Sequence, residues 1–320
     1  PLDERLRAAV FQAASVLELP GMGPLLAAFC ADMARDPGAR VDVLAALAAA
    51  NDPACDGLTE RLCADAAPAV RMGARRVLAA RAADPAARAA LAVRLADVAG
   101  SDAANVTLRE RQEAIDLLAK LDHPAAREAI DALVARLREG RLDPGLALEA
   151  LDAAGRSPEL VEEFAAGGRD VLAGGDAKRG HDIFLKNGVV QCVRCHKHAG
   201  AGGEVGPALD GIAAKRDKAY LLESILEPSA KIAEGFQTTV VVTDDGRSVA
   251  GILKAETPEE LVIVTADGKQ ERVAAASIED RSQGPSAMPA DIATKLSRRE
   301  LRDVVEWLST LREQGQQALP

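Results

Sequence analysis

The first half of the chain, residues 1 to about 172, has a hydrophobic pattern with the period of an α-helix. Apolar residues recur three and four positions apart in "RQEAIDLLAKLD" (111–122) and in "AREAIDALVARLREG" (126–140). Such stripes predict helices that bury one face against their neighbours. The stripe of the first segment consists of Ala114, Ile115, Leu117, Leu118 and Leu121.

Prolines mark the starts of the predicted helices. Most of them lie about 17 residues apart, the length of one helix plus a turn. Proline is favoured at the first helical position, because its missing N–H would be unpaired there anyway. Two helices per unit give a repeat of about 35 residues, which predicts an α-solenoid; an irregular helical bundle is the alternative. The prolines are Pro37, Pro53, Pro68, Pro85, Pro124, Pro144 and Pro158.

The pattern changes after the glycine-rich segment "AAGGRDVLAGGDAKRG" (165–180), which predicts a boundary between domains 1–172 and 173–320. Residues 236–280 then alternate with a period of two, in "FQTTVVVT", "SVAGILKAE", "LVIVTA" and "QERVAAASI". Asp-Gly and Pro-Glu turns between these runs predict a small antiparallel sheet. Near the end of the chain, Ser297 followed by Glu300 predicts the capping box of a final helix.

Composition and charge restrict the possible partners. A chain of 320 residues is long enough for two or three domains, and with only 2% aromatic residues its core must consist largely of Ala, Leu and Val. The net charge of −10 argues against nucleic acid or an anionic membrane surface as the main partner. No apolar run approaches the roughly 20 residues of a transmembrane segment, and no signal peptide is visible. Because the chain begins at Pro1, we expect it to be an excised or processed piece.

Potential cofactor-binding side chains are concentrated in "QCVRCHKHAG" (191–200), which holds two of the five cysteines and two of the four histidines. A redox dithiol of the thioredoxin type needs a βαβ unit that is not evident around Cys192. A zinc site needs a second pair of ligands, and the other cysteines lie more than a hundred residues upstream. The order Cys192, Cys195, His196 is the C-x-x-C-H pattern of covalent haem attachment, which is therefore favoured over the other two.

Residues 176–311 resemble a cytochrome c domain. The resemblance is greatest to the haem-binding domain at the C-terminus of large multidomain proteins of the planctomycete and verrucomicrobial type. Its matching stretches are "AKRGHDIFLKNG", "QCVRCHKHAGAGGEVGPALDGIAAKRDKAYLLESILEPSAKIAEGFQTTVVVTDDGR", "SAMP" and "LSRRELRDVVEWLSTLR". The upstream helices resemble HEAT repeats, which often precede the haem domain in that family. The expected fold is mainly α: a HEAT-like α-solenoid, then a cytochrome c-type helical haem domain with a small antiparallel β insertion at about 236–280.

The resemblance implies a role for five residues. Cys192 and Cys195 would hold one haem c through thioether bonds, and His196 would be the proximal ligand of its iron. Pro207, in "GPALDGI", would accept a hydrogen bond from the imidazole of that histidine and so fix its tautomer. Met288, in "SAMPAD", would be the sixth ligand.

Other residues have competing interpretations. His198 is the alternative sixth ligand, and Met288 is alternatively a core methionine. His181 and His123 are interpreted as surface or capping histidines, and a disulfide between Cys55 and Cys63 is left open. Three further residues are expected to pack at the crossing of the first and last helices of the haem domain: Gly180, Phe184 and Trp307. Cys30 is expected to be a buried free thiol.

The iron of a six-coordinate His/Met haem has no open coordination position. The expected function is therefore one-electron transfer and not catalysis. The resemblance implies that electrons come from a redox protein partner, a dehydrogenase fused upstream or docked on the solenoid. Haem attachment in bacteria happens outside the cytoplasm, so a periplasmic or otherwise exported location is expected. Two alternatives stay open: a protein-interaction scaffold with an accessory haem, and a five-coordinate haem enzyme or sensor.

Overall fold

A computed structural model describes residues 22–312 of the protein. The parts of the two predicted domains within residues 1–21 and 313–320 lie outside this range. The chain divides into two compact units, Pro1–Pro158 and Glu159–Pro320. The predicted boundary near residue 172 lies within the second of these units. Asp170 belongs there because its buried carboxylate accepts a hydrogen bond of 2.9 Å from the Nε of Arg298.

The described part of the first unit is built from helices, as its hydrophobic pattern predicts. Each of the seven prolines singled out in the sequence begins a helical segment, since its fixed φ suits the first turn. Asp36 and Asp84 cap two of these starts, each accepting a hydrogen bond from the amide three residues on. The helices are α1 (Met22–Ala31), α2 (Pro37–Ala49), α3 (Leu58–Leu62), α4 (Pro68–Arg81), α5 (Pro85–Gly100), α6 (Leu108–Lys120), α7 (Pro124–Arg138) and α8 (Ala147–Ala153).

The apolar stripes of these helices meet in two clusters of mostly aliphatic side chains. One cluster lies among α1 to α4 and includes Leu44 and Val70; the other lies among α5 to α8 and includes Ile115 and Leu118. Helices that are neighbours in sequence pack on each other, as in a helical solenoid. Among residues 22–312, none of the helices is long and apolar enough to cross a membrane.

The second unit has three helices of at least nine residues within its described part: α9 (Ala177–Lys186), α10 (Lys218–Leu226) and α11 (Arg298–Leu308). The predicted capping box at the start of α11 is present, since Ser297 accepts from the Glu300 amide and Glu300 accepts from the Ser297 amide. Helices α9 and α11 pack together, with the Phe184 ring 4.6 Å from the Trp307 ring. The predicted crossing of these two helices is therefore present.

The second unit also contains two antiparallel sheets. A short hairpin of β1 (Lys197–His198) and β2 (Ala201–Gly202) lies between α9 and α10 in sequence, and a five-stranded sheet lies between α10 and α11. An apolar cluster that includes Val241, Ile263 and Val273 forms the core of the larger sheet. Its strands are β3 (Thr238–Thr243), β4 (Ser248–Glu256), β5 (Glu260–Thr265), β6 (Gln270–Ala274) and β7 (Ile278–Gln283), in the order β6-β5-β4-β3-β7.

The five-stranded sheet is larger than the small insertion that the sequence predicted. The pattern predicted four strands ending at about residue 280, and the structure has a fifth, β7, along the edge of β3. Its sequence, "IEDRSQ", has a single apolar residue, and nearly all of it is exposed. A strand held mainly by its backbone hydrogen bonds leaves no alternation of polar and apolar residues for sequence analysis to detect.

Candidate functional site

The two thiols and the imidazole of the C-x-x-C-H motif come from a single turn that follows α9. Cys192–Arg194 is one turn of 3₁₀-helix, and the amides of Cys195 and His196 both donate to the carbonyl of Cys192, at 3.1 and 3.0 Å. Both cysteines are free and half-buried. Burial raises the pKa of the Cys192 thiol above its ordinary value. The turn therefore presents two thiols next to one imidazole.

His196 has a defined tautomer because of its contact with Pro207. Its Nδ1 lies 2.9 Å from the Pro207 carbonyl oxygen. A carbonyl oxygen only accepts, so Nδ1 carries the proton and Nε2 keeps a free lone pair. Burial lowers the pKa of His196, while the hydrogen bond to Pro207 acts in the opposite direction. The imidazole is thus held neutral, with Nε2 as a potential metal-binding atom.

A glycine-rich loop, residues 202–207, folds back over the motif. The amide of Gly203 donates to the Val193 carbonyl at 2.9 Å, and the amide of Gly206 donates to the Cys195 carbonyl at 2.8 Å. A Cβ on Gly206 would lie 2.6 Å from the Cε1 of His196, closer than real side chains approach. Gly206 therefore packs directly on the imidazole. These glycines were not among the predicted site residues, although their density in "AGAGGEVGP" is a signal for close backbone approach.

His198 lies at the end of β1, in the two-stranded hairpin. It is buried, its ring contacts Trp307 edge-on at 5.2 Å, and its Nδ1 lies 2.9 Å from an oxygen of Asp210. His181 is buried in the same cluster, 5.5 Å from the Trp307 ring, so its interpretation as a surface or capping histidine was wrong. His123, by contrast, does cap a helix, because its ring accepts from the Ala125 amide.

Met288 lies half-buried in the loop between β7 and α11. The loop is anchored at two points and has one hydrogen bond within it. The Gly284 amide donates to the Thr238 carbonyl at 2.9 Å, the Ser286 amide donates to the Ser229 hydroxyl at 3.1 Å, and the Met288 amide donates to the Ser286 hydroxyl at 3.2 Å. The first strand of the sheet and the segment that precedes it therefore fix the course of the loop that carries the methionine.

The three remaining cysteines lie in the first unit and are free. Cys55 is buried with its sulfur 3.3 Å from the Thr59 hydroxyl, and the disulfide that was left open between Cys55 and Cys63 is not formed. Cys30 is a buried thiol, as expected, and burial raises its pKa to about 12. Across residues 22–312, no three His, Cys, Asp or Glu side chains come together as a metal site.

The thiols and the imidazole of the motif are the chemical groups that a covalently attached haem needs. Two thiols on one turn match the two vinyl groups of a porphyrin, and a neutral imidazole with a free Nε2 is the form that binds iron. The Pro207 carbonyl accepts a hydrogen bond from Nδ1, and a hydrogen bond of this kind orients a metal-binding histidine.

The cytochrome c family model matches residues 177–245, from the start of α9 to the turn after β3. No curated protein matches the sequence. The family match supports a cytochrome c domain in the second half of the chain, which is a haem-binding electron-transfer module. It implies covalently bound haem c and a redox partner. Domains of this family are typically exported.

Proposed function

We propose that the protein is a c-type cytochrome module with a single haem, attached through Cys192 and Cys195, and that it transfers one electron at a time. When bound, the haem supplies the Fe(III)/Fe(II) couple. The single observation that carries this proposal is the 2.9 Å contact between Nδ1 of His196 and the Pro207 carbonyl oxygen, on a turn that also carries both thiols. It leaves Nε2 of His196 as the proximal ligand.

The chain's own residues give this ligand its orientation and its basicity. The Pro207 carbonyl holds the proton on Nδ1 and orients the ring. Gly206 packs against the ring and prevents it from tilting towards the loop. The imidazole of His196 is already fixed in place. We therefore expect little rearrangement of the protein around His196 when an electron is transferred.

We propose Met288 as the sixth ligand. It is half-buried in an anchored loop, and a thioether is a softer and weaker donor than a second imidazole. Such a ligand favours Fe(II) and raises the reduction potential. His198, the alternative, is buried against Trp307 and lies only two residues from His196, too near it to reach the opposite face of a haem easily. A haem held by both His196 and Met288 would have no open position for a substrate, which favours an electron carrier over an enzyme.

For the rest of the chain we propose that the first unit, the main part of the predicted domain 1–172, is a HEAT-like repeat domain, and that the second unit, which contains the predicted domain 173–320, is the cytochrome domain. The helices of the first unit pack on their neighbours in sequence, which supports a repeat architecture. A dehydrogenase, fused upstream or docked on the repeats, is the proposed electron donor. The proposed location is the periplasm or another exported compartment, where haem c is attached.

The test is a pyridine haemochrome assay on protein made in a host with the haem-attachment machinery. We expect one haem per chain that remains with the protein in acidified acetone. Replacing both motif cysteines, C192S/C195S, abolishes this retention, whereas C63S, at a half-buried cysteine of the first unit, leaves it unchanged. A colourless wild-type protein, or a haem that washes out of it, contradicts the proposal.

A further inference from the structure

A lysine of the five-stranded sheet contacts the loop that packs on His196. The Nζ of Lys254, in β4, donates a hydrogen bond of 3.2 Å to the backbone carbonyl of Glu204. The same ammonium lies 5.2 Å from the centroid of the Phe236 ring, in a cation–π contact. Lys254 is therefore held on one side by the segment that enters the sheet and on the other by the glycine-rich loop.

Glu204 is also held from a second direction. Its side chain accepts a hydrogen bond of 3.1 Å from the Nζ of Lys197, which directly follows His196. Three residues after Glu204 comes Pro207, whose carbonyl oxygen lies 2.9 Å from Nδ1 of His196. A displacement of Glu204 is therefore transmitted to the acceptor of the imidazole proton through only three residues of backbone.

We propose that Lys254 is a positioning residue for His196. Its hydrogen bond to the Glu204 carbonyl fixes the glycine-rich loop, and the fixed loop keeps the Pro207 carbonyl in contact with Nδ1 of His196. This inference rests on the proposed function and extends it to the sheet. A firmly held acceptor at Nδ1–H increases the electron density on Nε2, which makes the imidazole a stronger donor. A stronger donor stabilises Fe(III), so Lys254 lowers the reduction potential of the module.

The test compares three variants of the full chain carrying haem. K254M removes the hydrogen bond and one positive charge, K254R keeps both a donor and the charge, and K215M removes a positive charge from another exposed lysine. Loss of a positive charge by itself stabilises the more positive Fe(III) and lowers the potential. We expect K254M to raise the potential, because the weaker imidazole outweighs the charge. K215M is expected to leave it unchanged or lower it, and K254R to restore the wild-type value.

Amide hydrogen exchange supplies a second readout that does not depend on the haem. The amides of Gly203 and Gly206 donate to Val193 and Cys195, so their exchange rates report how firmly the loop is closed on the motif. We expect exchange of both amides to become several-fold faster in K254M and to stay at the wild-type rate in K215M.

The inference and the proposed function fail in different ways. If the wild-type chain attaches no haem, the proposed function is wrong, while the exchange rates still test whether Lys254 holds the loop. If haem is attached but K254M behaves like K215M in both potential and exchange, Lys254 is only a surface lysine and the inference is wrong.

Discussion

Gly180 on α9 lies directly against the backbone carbonyl of Asp303 on α11. A Cβ at position 180 would overlap that carbonyl oxygen and would come within 2.8 Å of the Trp307 Cβ. The two helices therefore approach each other as closely as their backbones permit. The Asp176 amide, just before α9, donates to the side-chain carboxylate of Asp303 at 2.8 Å and holds the same two helices together.

The substitution G180A is expected to destabilise the second unit. In a free helix, alanine is favoured over glycine by about 1 kcal/mol. Here the added methyl group meets backbone that cannot move away without separating the helices, and such overpacking costs about 1–3 kcal/mol. Urea unfolding followed by the fluorescence of Trp307, the only tryptophan, measures the effect on this unit.

Gly188 provides the matched control in the same unit. Apart from Gly188 itself and its two chain neighbours, no atom of residues 22–312 lies within 4 Å of the place that a Cβ would take at position 188, so G188A adds the same methyl group without a collision. We expect its unfolding midpoint to stay near that of the wild type. A G180A protein as stable as G188A would show that the helices separate easily at this crossing.

The sequence predicted those parts of the fold that depend on local pattern. The prolines predicted where helical segments begin, and Ser297 with Glu300 predicted the capping box, because these signals involve residues within one turn of each other. The cysteines and histidine of the motif lie on one turn for the same reason.

The features that sequence analysis missed depend on contacts between distant segments. Strand β7 is mostly polar and pairs with a strand about 40 residues upstream. The burial of His181 depends on Trp307 of the last helix, and the contact of Gly206 with His196 depends on a loop folding back over the motif. No local periodicity encodes such contacts, so they become visible only in the structure.

A buried carboxylate in the first unit makes its stability depend on pH. Glu110 is fully buried and accepts hydrogen bonds from Arg71, at 2.7 Å, and from Arg75. Burial acts to raise the pKa of this carboxyl, but the hydrogen bonds from Arg71, the Thr107 amide and Arg75 outweigh it and lower the pKa to about 2. Because the folded pKa lies below the unfolded one, the stabilisation is complete above about pH 4.5 and is lost as the pH falls towards 2.

We therefore expect E110Q to destabilise the first unit by on the order of 3 kcal/mol at neutral pH. Between pH 5 and pH 3 the wild type is expected to lose more stability than E110Q, because the variant has no carboxylate to protonate. Urea unfolding followed by far-UV circular dichroism measures this, with Trp307 fluorescence following the second unit separately. The control is E60Q, in the exposed pair with Arg94, which is expected to have little effect. If the stability of E110Q and of the wild type depended equally on pH, Glu110 would not be the carboxylate responsible.

The three thiols of the first unit are expected to differ in reactivity. Cys30 and Cys55 are at most 1% exposed, whereas Cys63 is half-buried. Burial raises the pKa of Cys30 to about 12, so almost none of it is thiolate at pH 8. With Cys192 and Cys195 bound to haem, iodoacetamide on the native protein is expected to label Cys63 first. Peptide mass spectrometry identifies the labelled residue, and a Cys55–Cys63 disulfide found there would contradict the structure.

The role proposed for Met288 predicts a change in the spectrum of the variant M288L. Leucine fills a similar volume but has no sulfur to donate, so the substitution removes a ligand without opening a large cavity. We expect the oxidised wild type to show a weak absorption band near the red end of the spectrum, and M288L to lack it. After reduction, M288L is expected to bind carbon monoxide, which the wild type resists, and its potential is expected to fall because the thioether that favours Fe(II) is gone.

M33L is the matched control for this change, because Met33 lies in the first unit with 68% of its side chain exposed. It should leave the spectrum and the carbon monoxide response as they are in the wild type. If the wild type shows no red band and M288L resists carbon monoxide as the wild type does, the sixth ligand is not Met288, and His198 is the first to test. If instead the wild type itself binds carbon monoxide readily, the iron has an open position, and a haem enzyme or sensor replaces the electron carrier as the function of this site.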